Sequence, residues 1–255
     1  MSFADAHAHL TWKSFDPDRE AVLERARTAG VSLVVDCGID RHTNEATLAL
    51  STAHPGVYST LGFSPSHVPR HSDDELGAEL AFIEAHLDRA VALGEVGLDY
   101  HWVTEAAGRR RQEEFFARCC TLARERDAPL VVHSRKSEAR CLDLVSGAGL
   151  ADVVFHCFSG TEDDLRRATG SGYYVSLPTS VCHSRSHQRH AAQVPDGLLL
   201  LETDSPFLAP RRGERNEPAF VVEAFRTVAG LRGCAIDELG ELVLGNARRV
   251  FRLKG

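Results

Sequence analysis

The chain has 255 residues, 43% of them hydrophobic, with a formal net charge of -7 and a pI of about 6.0. The length allows one large barrel or two small domains, and the apolar fraction is ordinary for a globular protein with a sizeable core. The acidic balance excludes a bulk basic surface for nucleic acid or acidic membranes, but leaves room for a small local site.

The cysteines and the chain start indicate a compartment. Seven cysteines, an odd number without a Cys-x-x-Cys pair, predict reduced and mostly buried thiols rather than a disulfide framework or a thiolate zinc site. The first residues lack the basic and apolar pattern of a signal peptide, and no apolar run approaches the roughly 20 residues of a membrane span. We therefore expect a cytoplasmic protein that does not enter a membrane.

Strand-like and helix-like stretches alternate from one end of the chain to the other. Short aliphatic or β-branched runs bounded by Gly, Pro or polar residues predict strands at 3–9, 32–37, 57–61, 90–95, 129–133, 153–156, 173–176 and 198–203. Helical spacing of apolar residues predicts helices at 18–29, 43–53, 77–87, 109–126, 137–145, 162–168, 185–193, 218–231 and 236–244. This order predicts an α/β protein, a single-domain (β/α)8 TIM-type barrel over residues 1–255. A doubly wound sheet would be favoured by a Gly-rich phosphate loop after the first strand, and none is present.

Histidine or carboxylate side chains end five of the eight predicted strands. In a (β/α)8 barrel these carboxyl ends meet at one rim, where active sites lie. The rim residues are His7, His9, Glu95, His133, His156 and Asp204. One histidine ending a strand is commonly just a hydrogen-bonded polar residue, but a shared mouth crowded with such groups needs a cation to neutralise it. Six side chains exceed the needs of one tetrahedral ion, so two divalent ions bridged by a carboxylate are the economical interpretation.

The identity of these ions stays open from the ligand set. A mixture of histidines and carboxylates suits Zn, Mn, Fe or Ni, whereas a purely oxygen set suits Mg or Ca better. We expect two divalent cations, with Zn, Mg and Mn as the candidates.

Longer motifs around these residues resemble the TatD-like family of metal-dependent deoxyribonucleases, within the amidohydrolase-type metal barrels. The matching segments run in family order and cover essentially the whole chain. They are Asp5-Ala-His-Ala-His-Leu10, Gly94-Glu-Val-Gly-Leu-Asp-Tyr100, Val132-His-Ser-Arg135, His156-Cys-Phe-Ser-Gly160, Glu202-Thr-Asp-Ser-Pro206, Arg215-Asn-Glu-Pro218 and Asn246 to Phe251.

The resemblance implies a role for each rim residue. One metal would be held by His7, His9, Glu95 and Asp204. The second would be held by Glu95, His133 and His156, so that Glu95 bridges the two ions. The activity implied is hydrolysis of DNA phosphodiester bonds, with an exonuclease as one form, by a water that the metals activate and that gives its proton to Asp204. DNA, as single strands or ends, is then the expected partner, and no protein partner is readable.

The sequence departs from the family after the third strand. The family usually carries Gly-x-His-Pro-His, and this chain has Ser64 and Ser66 at the two histidine positions, with His67 directly after them. The metal site should survive this change, because the family histidine is a phosphate contact rather than a ligand. Ser64 and His67 are therefore candidate substrate contacts, and an exposed loop histidine is the alternative for His67.

Other residues near the rim have two interpretations each. Arg135 either holds a phosphate or pairs with a carboxylate such as Asp99, and we favour the pairing. Asp5 and Glu202 share the faces of ligand residues, and we expect them to orient ligands rather than bind metal. The aromatic run 100–102 either stacks a base at the mouth or packs against a loop. The histidines His183, His187 and His190 recur at helical spacing and are expected on a polar helix face without a function.

Two other functions stay open. A metal hydrolase of small amides, esters or lactones would share the barrel and the His-x-His start. It is disfavoured because Glu95 stands where many amidohydrolases place a carbamylated lysine, and no lysine lies near that strand end. A weakly active subunit that binds nucleic acid or a partner is the third possibility, and the intact set of six ligands argues against it.

Overall fold

The computed structural model describes residues 2–253. The strands are β1 (Phe3–Ala8), β2 (Val31–Cys37), β3 (Val57–Leu61), β4 (Ala92–Asp99), β5 (Leu130–Arg135), β6 (Val153–His156), β7 (Tyr174–Pro178) and β8 (Leu199–Glu202). The helices are α1 (Arg19–Thr28), α2 (Arg41–Ala53), α3 (Asp73–His86), α4 (Ala106–Glu125), α5 (Glu138–Ala148), α6 (Glu162–Gly170), α7 (Arg185–Gln193), α8 (Val221–Arg232) and α9 (Ile236–Val250).

The strands form one parallel sheet in the order β1 to β8, and the ends of that sheet meet. A bridge joins Ala8 of β1 to Ser205 just beyond β8, and the Ser205 carbonyl accepts a hydrogen bond from His9 at 2.8 Å. Helices follow the strands in alternation, which confirms the predicted TIM-type barrel. None of the helices within residues 2–253 combines the length and the low polarity that crossing a bilayer requires.

The core explains why the strands could be recognised in the sequence. Residues of β4, β6 and β8 are buried throughout, since parallel strands carry helices on one face and pack into the barrel on the other. Phe3 of β1 packs on Phe225 of α8 with ring centroids 4.7 Å apart, which fastens the outer layer to the sheet. Such continuous burial gives the short aliphatic runs on which the strand predictions depended.

Several boundaries differ from the predictions, and one difference matters for the site. The prediction ended the fourth strand at Glu95, whereas β4 continues to Asp99 and pairs there with Arg135 of β5. Glycines at 94 and 97 interrupt the aliphatic pattern and made the strand look finished. Helix α3 begins earlier than predicted because Ser72 and Glu75 form a capping box ahead of its apolar residues.

The cysteine prediction is confirmed. Each of the seven cysteines is a free thiol, and four of them are buried. Burial raises the pKa of the Cys119 and Cys141 thiols, which keeps them protonated packing groups in the core.

Candidate metal centre

The structure brings the six predicted metal ligands together from the middle of β4, from the carboxyl-terminal parts of β1, β5 and β6, and from just beyond β1 and β8. All of them except His7 line a cavity of about 580 Å³ that opens at this end of the barrel. His7 is fully buried, and Asp204 and His133 are partly exposed toward the mouth. The barrel thus converts positions almost 200 residues apart in sequence into one site.

Glu95 lies at the centre of the cluster. Its Oε2 atom is 2.9 Å from Nε2 of His7, 3.4 Å from Nε2 of His156 and 3.6 Å from Nε2 of His9. Its Oε1 atom is 3.5 Å from Nδ1 of His133. One carboxylate therefore contacts or approaches all four imidazoles, and its two oxygens face different members of the set.

Asp204 completes the ring from the β8 side. Its Oδ1 atom is 3.5 Å from Nε2 of His9 and 3.9 Å from Nε2 of His7. Its backbone N–H donates to the His7 carbonyl at 2.9 Å, and its φ of 54° lies in the left-handed region. Aspartate tolerates that region better than most residues, so the chain can turn sharply at the rim and still direct the carboxylate inward.

Two of the imidazoles have a carboxylate on the side away from Glu95. Nε2 of His133 lies 3.2 Å from Oδ2 of Asp99, and Nδ1 of His156 lies 3.4 Å from Oε1 of Glu202. A carboxylate at the outer nitrogen holds the proton there and leaves the inner lone pair free. This is the arrangement that metal-binding histidines use, and it agrees with the orienting role expected for Glu202.

Cys37, at the end of β2, contacts the outer nitrogens of the other two imidazoles. Its carbonyl oxygen is 3.0 Å from Nδ1 of His9, and its Sγ atom is 3.2 Å from Nδ1 of His7. All four rings therefore have a neighbour at the outer nitrogen and direct the inner nitrogen toward Glu95.

These residues fit a metal site by their chemistry and their spacing. The triads His7–His9–Glu95 and Glu95–His133–His156 each offer ligand atoms within 4.8 Å of one another, and they share Glu95. The buried Oε2 of Glu95 has no hydrogen-bond partner among the described residues, although imidazole nitrogens surround it. Nitrogen and carboxylate donors of this kind suit divalent transition metals.

The pKa values of the clustered side chains are shifted because these ionisable groups are buried close to one another. Burial alone would raise the pKa of Glu95, but the surrounding histidines outweigh it and hold that pKa well below its usual value. Burial would lower the pKa of His9 and His156, but nearby carboxylates raise these pKa values to about 10 and about 9. Burial dominates at His7 and lowers its pKa. Protons and cations therefore compete for the same nitrogens.

Glycine is required where the backbone passes closest to Glu95. Gly97 has a φ of 145°, and a Cβ atom there would lie 2.1 Å from the His133 carbonyl oxygen. A Cβ at Gly62 would lie 2.3 Å from the Glu95 carbonyl oxygen. Without side chains at these positions, the backbone after β3 and the backbone of β5 can approach β4 closely on either side of Glu95.

Asp5 was expected to orient a histidine ligand, and the structure places its carboxylate elsewhere. Its oxygens accept hydrogen bonds from the Thr203 N–H at 2.8 Å and the Thr203 hydroxyl at 2.6 Å. The contact to His7 involves only the backbone N–H, at 3.4 Å. Asp5 thus fastens the end of β8 to β1 immediately before Asp204, so that it acts on the strand rather than on an imidazole.

The expected pairing of Arg135 with Asp99 is wrong. Asp99 instead accepts hydrogen bonds from the backbone N–H groups of His101 and Trp102 and contacts His133. Arg135 is exposed at the mouth, with its guanidinium 5.7 Å from the centre of the Trp102 ring. The prediction missed Asp99 as a partner of the candidate ligand His133 because it ended β4 too early. Two-residue alternation along a longer strand would have placed Asp99 on the same face as Glu95.

The loop after β3 places its candidate residues differently. His67 is half-buried and lines the cavity with Ser66, packing edge-on against Phe63. Burial lowers the pKa of His67, so its ring is neutral near pH 7. Ser64 is instead paired with Ser66 through their hydroxyls at 3.0 Å. The substrate-contact roles of Ser64 and His67 stay predictions.

The histidines of the α7 region do not form a common polar face. His190 is buried against Phe158, with ring centroids 5.3 Å apart. His187 lines the cavity, with Nδ1 2.9 Å from the Ser180 hydroxyl, and burial lowers its pKa to about 4. Sequence reasoning assigned His187 no function because nothing local marks which side of a polar helix faces the barrel mouth.

Known proteins with the same architecture and sequence pattern support the resemblance. A family model described as TatD related DNase matches residues 4–252. The chain is 31% identical over 255 residues to "Uncharacterized metal-dependent hydrolase YabD" of Bacillus subtilis, covering 98% of each chain. It is 34% identical over 260 residues to "3'-5' ssDNA/RNA exonuclease TatD" of Dickeya dadantii, covering 97% of each.

A solved structure agrees over the same length. The crystal structure of YjjV, a TatD homologue from Escherichia coli, superposes with a TM-score of 0.90 at 28% identity, covering 99% of this chain and 98% of the other. The family model and the relatives span nearly all of the barrel, including every strand end that contributes to the cluster. This chain belongs to the TatD related DNase family.

Proposed function

We propose that this protein is a divalent-metal-dependent phosphodiesterase that removes nucleotides from ends of single-stranded DNA. The observation that carries the proposal is the position of Glu95, shared by two His-containing triads at the floor of an open cavity. Membership of the TatD related DNase family supports the reaction class, and a relative named as an ssDNA/RNA exonuclease supports single strands as the substrate.

The proposed centre holds two divalent ions. His7, His9 and Asp204 would hold one, His133 and His156 the other, and Glu95 would bridge them. When bound, such cations offset the charge of a phosphate and make water a better nucleophile near pH 7. The ligand set is compatible with Zn or Mn and, in the presence of excess cation, Mg.

The protein's own groups would prepare the substrate and move the proton. Asp204 is the most exposed carboxylate of the cluster, with 15% of its side chain accessible, and faces the mouth where the attacking water would enter. In this proposal Asp204 would accept the proton that the water loses. Asp99 and Glu202 hold His133 and His156 in one orientation, so the cluster needs little rearrangement when substrate arrives.

The size of the cavity supports a nucleotide as the group that enters. A volume of about 580 Å³ lies within the range typical of small-ligand sites. The overall charge of -7 disfavours a long electrostatic track along a duplex, so contacts would be concentrated at the chain end. The cytoplasmic location stays a prediction.

The direct test is a cleavage assay across metals. Purified protein would be incubated with single strands labelled at either end, together with Mg, Mn or Zn, and the released label would identify the polarity. We expect cleavage with at least one metal and its loss in Asp204→Asn. Asp88→Asn, an exposed aspartate in the short turn before β4, serves as the matched control and should retain activity.

Other outcomes would replace the proposal. Cleavage by Asp204→Asn equal to that of the wild type would exclude Asp204 from the reaction. Turnover of lactones or cyclic amides without phosphodiester cleavage would favour the small-substrate hydrolase. Protein purified without metal and unresponsive to added metal would indicate a binding subunit.

A further inference from the structure

Exposed large apolar side chains are concentrated around the mouth. Within residues 2–253, four such side chains are strongly exposed: Trp102 at 67%, Leu231 at 44%, Phe207 at 43% and Leu208 at 40%. Three of them line the cavity above the metal-ligand cluster, and Leu231 does not. Clustered exposed apolar surface at a concave site indicates contact with a ligand.

Trp102 is exposed on a loop whose backbone is fixed. Asp99 Oδ1 accepts from the N–H groups of His101 and Trp102, both at 2.9 Å, while Oδ2 of the same carboxylate contacts His133. Next to it, the Tyr100 N–H donates to the Arg135 carbonyl at 2.9 Å. One carboxylate therefore connects the backbone under the indole to the metal-ligand cluster. The backbone beneath the indole is thus fixed at the mouth, while the ring itself stays exposed.

Arg135 adds a cation beside this ring. It lies two residues after His133, and no carboxylate of the described residues is within ion-pair distance of its guanidinium, which lies 5.7 Å from the centre of the Trp102 ring. By contrast, Arg140, at the start of α5, is paired with Glu113. Arg135 is thus a cation at the mouth that is free to meet a phosphate.

A second aromatic wall lies on the opposite side of the barrel. Phe207, three residues after Asp204, packs edge-on against Trp12 with ring centroids 5.2 Å apart and lies 6.3 Å from His9. Phe207 and Trp12 follow β8 and β1, whereas Trp102 follows β4, so the two walls flank the cluster. An unpaired base has a free face for such surfaces, but a base inside a duplex is already stacked.

We propose that Trp102 and Arg135 form a clamp that selects the unpaired end of a nucleic acid strand, with a base stacked on the indole and its phosphate held by the guanidinium. This assignment rests on the proposed function and names the residues that give that site its preference for single strands. Phe207 and Trp12 limit the other side of the same opening.

The test separates base contacts from phosphate contacts by binding. All variants would be made in an Asp204→Asn background with added Mn, and fluorescence anisotropy would follow a labelled DNA single strand, the same strand without bases, and the matching duplex. We expect Trp102→Ala to lower the affinity for the normal single strand by about tenfold or more and to leave the affinity for the base-free strand unchanged. Trp102→Phe should restore most of the binding because it keeps an aromatic face.

Arg135→Gln should lower the affinity for both single strands. It should also reduce the slope of log affinity against log salt concentration by about one released counterion. Leu231→Ala, an exposed apolar residue outside the cavity, is the matched control and should bind like the background protein. The proposal is overturned if Trp102→Ala has unchanged affinity for the normal strand, or loses affinity for the base-free strand by the same factor. It is also overturned if the background protein binds the duplex with the same affinity as the single strand. Selective binding without cleavage by wild-type protein would reject the proposed function and leave the clamp standing.

Discussion

Replacing Glu202 by glutamine tests whether the outer partner of a histidine controls metal binding. Glu202 is fully buried at the end of β8, where Oε1 accepts from the Cys157 N–H at 2.9 Å and lies 3.4 Å from Nδ1 of His156. Glu202→Gln keeps the shape and removes the charge. We expect metal affinity to fall because the imidazole keeps only a neutral acceptor, which stabilises its metal-binding tautomer less than a carboxylate does.

The expected losses of metal affinity and of folding stability follow from the contacts of the two Glu202 carboxylate oxygens. Losing a charged partner behind a metal-binding histidine lowers affinity by roughly 10- to 100-fold, which corresponds to about 1.4 to 2.7 kcal/mol. The Oε2 atom has no hydrogen-bond partner among the described residues, so the new amide N–H group would be buried without an acceptor. Leaving such a donor unpaired costs about 1 to 3 kcal/mol of folding stability, which has to be measured separately.

Competition with a chromogenic chelator would give the metal affinity, and urea unfolding of the metal-free protein would give the stability. Glu138→Gln is the matched control, since Glu138 is also buried and accepts from the Ser137 N–H and the Ser159 hydroxyl without contacting a proposed ligand. Metal affinity in Glu202→Gln equal to that of the wild type would refute the assignment. So would an equal loss of affinity in Glu138→Gln.

Three other expectations concern protons and packing. Because the pKa values of His9 and His156 are raised to about 10 and about 9 without metal, metal affinity should increase as pH rises toward that range; calorimetric titrations at several pH values would show a flat profile if this is wrong. Gly97→Ala places a Cβ atom 2.1 Å from a carbonyl oxygen of β5 at a φ of 145°, so we expect a loss of at least about 2 kcal/mol in urea unfolding, and a near-neutral effect would contradict the close approach. Thr203→Val removes the hydroxyl that donates to the buried carboxylate of Asp5 at 2.6 Å and should lower stability by about 1 to 3 kcal/mol; thermal unfolding unchanged from the wild type would argue against this contact.

The clustering of the candidate metal ligands was predictable because barrel geometry turns a sequence regularity into a spatial one. His7, Glu95, His133 and His156 each follow an aliphatic run of strand character, and parallel strands present their carboxyl ends on one side. Once the barrel is inferred, placing these residues together needs no further information. The resemblance to a known family added the expectation of which of them would share a metal.

Contacts between side chains from different loops were not predictable in this way. The choice of Asp99 between Arg135 and His133 depends on how far β4 extends, and glycines within that strand concealed its end. The partner of Asp5 lies almost 200 residues away, across the closure between β1 and β8.

The sequence by itself therefore determined the barrel, the rim and the candidate ligands, because periodicity and strand ends are local properties of the chain. Only the tertiary structure decided that Cys37 and Asp99 lie behind the histidines and that Trp102 is exposed beside Arg135. These relations arise where separate loops converge, and their distances depend on how the whole barrel closes.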